Sequence, residues 1–98
     1  MKQIYFVVTM TIKVLYYVDS DDNTKGNLIA FPSEKDLRNT ETIEQIGQVL
    51  HEGHFGDKIG VSNSVAWEVV YNGTAELTCQ MGNYEFGWEE IELYLKNS

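Results

Sequence analysis

From Ile4 to Val18 every even position is apolar or aromatic, namely Ile4, Phe6, Val8, Met10, Ile12, Val14, Tyr16 and Val18, whereas Thr9, Thr11 and Lys13 break the odd positions. Side chains alternate across a strand, so this pattern predicts one long strand with its even side buried. At ~3.3 Å per residue it extends about 50 Å, well beyond the usual five or six residues. A strand of that length overhangs its neighbours. Residues 4–18 are therefore a candidate contact for a homodimer.

A second alternating region fills the C-terminal half. Asn72-Gly73 is a strong hairpin signal between Val65-Ala-Trp67-Glu-Val69 and Ala75-Glu-Leu77-Thr-Cys79. A three-residue loop with Gly73 as a left-handed bulge pairs Val69 with Ala75 and Trp67 with Leu77. A two-residue turn at Gly82-Asn83 then sets Met81 opposite Tyr84, Cys79 opposite Phe86 and Leu77 opposite Trp88. With these turns Val65, Trp67, Val69, Ala75, Leu77, Cys79, Met81, Tyr84, Phe86 and Trp88 share one apolar side of a three-stranded meander.

Between these regions Asp19–Gly26 is a polar turn, and Asn27–Phe31 is a short strand stopped by Pro32. Ile43, Ile46, Val49 and Leu50 form a helical stripe. This predicts a helix over 41–52, with Thr40 as N-cap, Gly53 as a left-handed terminus and Gly47 admitting a bulky sheet residue such as Trp67. The glycine-rich segment 51–60 follows as a flexible connector. Beyond Trp88 a continuing strand would aim Glu90 at the core. A helix over 89–96 instead puts Ile91 and Leu95 on one stripe with Trp88, and is preferred over a strand running on to Leu95.

The expected architecture is a single α+β domain over 1–98. It has an antiparallel sheet of four or five strands, made of the long N-terminal strand and the C-terminal three-stranded meander. Helix 41–52 and the C-terminal helix pack on one face.

Composition narrows the function. The chain has 98 residues, and 43% of them are hydrophobic, as expected of a globular domain. The single cysteine, Cys79, falls on the apolar face and reads as a buried thiol in a reducing, cytoplasmic compartment. The N-terminal run lacks a small-residue cleavage site and is interrupted by Lys13, so it reads as a retained strand rather than a leader. No uncharged stretch is long enough to span a membrane.

Fifteen acids against seven bases give a net charge of −8, which disfavours direct contact with nucleic acid. Lys and Arg are absent from Ile59 to Leu95, where Glu68, Glu76, Glu85, Glu89, Glu90 and Glu92 lie. In the register above Glu68 opposes Glu76 and Glu76 opposes Glu89, with Glu85 on the same outer side. Like charges so opposed are unfavourable, and Lys13 is the nearest candidate to relieve them.

No catalytic, nucleotide-binding or cofactor motif is present, and no metal site is assigned. Asp19, Asp21 and Asn23 have the spacing of a calcium loop, but Thr24 and Ala30 stand where its glycine and bidentate glutamate belong. The leading expectation is a small, acidic, non-enzymatic module of inhibitor or regulator type. It would present Glu68, Glu76, Glu85 and Glu89 to a basic protein partner. The alternatives are a homo-oligomer assembled through the long N-terminal strand and a metal-dependent enzyme using His51 and His54.

Overall fold

Two β-hairpins bracket a pair of helices along the chain. The computed structural model describes residues 6–97, with side chains described from residue 9 to residue 93. Its elements are β1 (Phe6–Asp19), β2 (Lys25–Pro32), α1 (Thr40–Glu52), α2 (Ile59–Asn72), β3 (Thr74–Cys79) and β4 (Gly82–Asn97). The four strands form one antiparallel sheet in the order β2-β1-β4-β3, so the long strands are central. The α+β class, the antiparallel sheet and the helix at 41–52 match the sequence expectation. Among the described residues a fifth strand and a C-terminal helix do not occur, since 89–97 belong to β4.

Residues 65–69, expected as a strand, lie in α2. Ser62, Val65, Ala66 and Val69 are buried at the i, i+3, i+4, i+7 spacing of one helical face. Gly73 is left-handed (φ 82°), as expected, but it ends a helix rather than bulging a hairpin, and its N–H donates to the Val69 carbonyl at 3.1 Å. Trp67, expected in the core opposite Leu77, is 54% exposed and stacks on Tyr71 with ring centroids 4.3 Å apart.

The hairpin of β3 and β4 turns at Gln80-Met81 rather than Gly82-Asn83, so Cys79 opposes Gly82, Leu77 opposes Tyr84 and Ala75 opposes Phe86. Each partner differs from the expected one by an even number of positions. The predicted inward side therefore survives, with Ala75 and Phe86 buried and Leu77, Tyr84 and Trp88 packed against the core. Residues 89–96 continue β4, pairing with β1 without a bulge as far as Asn97 opposite Phe6. Glu90 causes no conflict, because the helices do not reach it. It is exposed opposite Lys13, on the part of the sheet that runs past the helical layer.

Both helices lie on the odd side of β1, not the even side expected. Leu15 is fully buried, and Tyr17 packs against a core that includes Phe31, Leu37, Ile43, Ile46, Leu50 and Val69. Asn39, one residue before the expected Thr40, caps α1 by accepting the Thr42 N–H at 2.9 Å. Gly47 meets Asn63 of α2, not Trp67, and a Cβ there would collide with the Asn63 side chain. Gly53 is not left-handed (φ −82°); His54 is (φ 64°).

The connector between the helices is pinned rather than loose. Phe55 is buried against Tyr17, Tyr84 and Phe86, with centroids 4.9, 4.9 and 5.5 Å away. Its N–H donates to Leu50 O at 2.8 Å, and its carbonyl accepts from the buried Ser62 hydroxyl at 2.9 Å.

The molecule measures 63 × 32 × 21 Å and its radius of gyration is 16.6 Å, against about 13 Å for a compact domain of this length. The excess comes from the ribbon of β1 and β4. β2 pairs with β1 only from Ile12 to Val18, and β3 pairs with β4 only as far as Gly87, so both long strands run on beyond their outer neighbours.

Candidate functional site

With both helices on one side, the other side of the sheet is open. Cross-strand register lays it out in rows. One row is Lys25, Val18, Glu85 and Glu76, and the next is Asn27, Tyr16, Gly87 and Thr74. Val14 beside Glu89 follows, then Ile12 beside Ile91, then Met10 beside Leu93. One end of the face is thus acidic and the other apolar.

The middle is closed by a local cluster. Tyr16 lies flat enough over Gly87 that a Cβ there would stand 2.7 Å from its hydroxyl. Lys25 Nζ sits 4.5 Å from the centroid of the same ring and 2.8 Å from Glu89 Oε2. Both charged side chains are about half exposed, so this pair contributes at most about 1 kcal/mol. Its geometric effect is larger, because it ties the outer strand β2 to β4 across β1.

The four expected site residues separate. Glu68 lies on α2, away from the open face, so the three-carboxylate row of Glu68, Glu76 and Glu89 does not form. Glu89 opposes Val14 and is engaged by Lys25. Glu76 and Glu85 are directly opposed, both exposed, at the acidic end. Lys13 does not relieve them, since it is on the helical side and donates to Lys35 O at 2.7 Å. Lys25 is paired with Glu89, and neither Glu76 nor Glu85 joins that salt bridge.

A hollow of about 250 Å³ opens beside this pair, lined by Tyr16, Val18, Thr74, Glu76 and Glu85. Two carboxylates at the rim of an aromatic and aliphatic floor suit a side chain with an apolar stem and a cationic head. Tyr16, Val18 and Lys25 were missed as site residues. The sequence signal for them was the parity of β1, whose even positions line the open side.

The other candidates are less organised. His51, His54 and Asp57 line one hollow of about 470 Å³ with Gln80 and Met81. The His51 Nδ1 is buried there without a hydrogen-bond partner among the described residues. No group of three or more His, Cys, Asp or Glu is arranged to hold a metal ion among the described residues. The acids at 19–22 are engaged in their own turn. Asp19 Oδ1 accepts the Asp21 N–H at 2.9 Å, and Asp22 Oδ1 accepts the Thr24 hydroxyl and N–H at 2.7 and 3.0 Å. Those Thr24 bonds hold the Asp22 carboxyl below the usual range.

For residues 4–18 as a dimer contact, β1 has both edges occupied from Ile12 to Val18. No helix is long and apolar enough to cross a membrane among the described residues. No family model, curated protein or solved structure matches the chain.

Proposed function

We propose that the chain is a non-enzymatic interaction module of inhibitor or regulator type, in which the hollow beside Glu76 and Glu85 takes a lysine or arginine side chain of a basic protein partner. The observation that carries it is the direct opposition of Glu76 and Glu85, with no basic group paired to either among the described residues. Carboxylates so opposed cost about 0.2–1 kcal/mol, and a cation placed between them reverses the sign. Tyr16 and Val18 supply surface for the aliphatic stem. The net charge of −8 steers a basic partner toward the molecule.

The test is calorimetric titration with a lysine- and arginine-rich peptide at low and high salt, on the wild type and on the Glu76→Gln, Glu85→Gln double variant. Salt-sensitive binding is expected in the wild type, with about tenfold weaker binding in the variant, corresponding to ~1.4 kcal/mol. The variant should be no less stable, because the repulsion is removed. Equal binding by the two proteins would eliminate this role for the pair.

A further inference from the structure

The last residue of β4 paired with β3 is Gly87, opposite Thr74, yet β4 continues to Asn97. From Trp88 onward no strand occupies that edge among the described residues, a stretch of about 33 Å at ~3.3 Å per residue. Among the described residues the free edge of β1 is shorter. β2 reaches Ile12 opposite Pro32, and the Ser33 N–H then donates to the Thr11 carbonyl at 3.0 Å.

We propose that the free edge of β4 pairs with the same edge of a second copy, antiparallel, about a two-fold axis perpendicular to the sheet. Only that axis brings an edge against itself with reversed direction, and it leaves both helical layers on one side. Opposed residues must then share a side of the sheet, so the axis passes through a single residue of β4 in each copy.

With the axis at Leu93 the chain is complementary to itself. Leu93 opposes Leu93, Ile91 opposes position 95, a leucine, Glu90 opposes position 96, a lysine, and Glu89 opposes position 97, an asparagine. Moving the axis to Glu92 sets two carboxylates against each other. Moving it to position 94 puts Ile91 opposite Asn97 and shortens the ladder by two positions.

Exposure on the open side provides the second observation. Met10 and Leu93, adjacent across β1 and β4, are 47% and 41% exposed, and the partly buried Ile12 and Ile91 continue them. Pairing at Leu93 joins this apolar end to that of the second copy, giving one apolar band across the axis. Neither Glu76 nor Glu85 takes part, so the dimer and the basic-partner site stand or fall separately.

The test uses sedimentation velocity on the full chain from low to high micromolar concentration, with cysteine cross-linking in a Cys79→Ser background. A reversible dimer is expected. Leu93→Glu should weaken it about tenfold, because it sets two carboxylates against each other at the axis, and Leu93→Ile should leave it intact. Leu93→Cys should give a disulfide-linked dimer under mild oxidation, since cross-strand Cα spacing lies within disulfide range. A wild-type monomer at every concentration, a ladder of species beyond two, or cross-linking through Met10→Cys instead of Leu93→Cys would each overturn the proposal.

Discussion

Tyr16 stands directly opposite Gly87, its hydroxyl 2.7 Å from where a Cβ on that glycine would be. One residue on, Tyr17 covers Gly26 of β2 in the same way on the other side of the sheet. A glycine inside a strand is normally a weakness; here each one admits a tyrosine ring. Gly87→Val should therefore destabilise the protein by about 1–3 kcal/mol in urea unfolding, the usual cost of overpacking. In a Tyr16→Ala background the same change should cost much less. Additive effects of the two changes would show that the ring does not depend on the missing Cβ.

Gly73 has open space around it, so its cost of substitution is conformational only. Gly73→Ala forces a β-carbon into a left-handed position at φ 82° and should lower stability by about 1 kcal/mol, with Gly73→Asn closer to wild type. Chemical denaturation of the pair gives the ordering. Equal stability of alanine and glycine there would contradict the left-handed cap.

The Ser62 hydroxyl, fully buried, donates to the Phe55 carbonyl and so ties α2 to the connector. Removing it in Ser62→Ala leaves that carbonyl without its donor and should cost about 1–3 kcal/mol. A urea midpoint matching the wild type would mean that the bond contributes nothing net.

Burial, and after it the negative charge of Asp19, push the Tyr84 hydroxyl above the ordinary tyrosine value. The folded state thus favours the neutral phenol. This contribution to stability is complete below the unfolded value of about 10 and is lost as pH rises through the higher folded value. Absorbance titration should show a phenol ionising above the ordinary tyrosine value, absent in Tyr84→Phe. Unchanged titration in that variant would refute the assignment.

The legible parts of the sequence were those where local pattern and burial agree. The stripe of Ile43, Ile46 and Leu50 predicted α1, and the even shift in hairpin register left Ala75, Leu77 and Phe86 on their expected side. Residues 65–69 misled because Val and Trp favour strands and Asn72-Gly73 signals a hairpin as readily as a helix end. The helical spacing of Ser62, Val65, Ala66 and Val69 was equally present, and packing against α1 decided between them. At Glu90 the strand outlasts the core it covers, so a charged residue at an inward-facing position does not end it. For β1, Thr9, Thr11 and Lys13 marked the even side as the buried one, but from Val14 to Val18 both sides are apolar, and there the helices cover the odd side. Of the candidate site, the acidic composition was legible but the partners were not: Glu76 faces Glu85 only because the hairpin turns two residues early.

The helices roof only part of the sheet, and that asymmetry has a mechanical consequence. Where Leu15 and Phe86 are packed, parting β1 from β4 means breaking the whole core. Around Met10 and Leu93 it means breaking a few ladder bonds, with water on both sides. At concentrations where the chain is monomeric, amide exchange should therefore follow a gradient along a single pair of strands, quick at the bare end and slow beneath the roof, so that the ribbon unzips from its tip long before the globular end lets go.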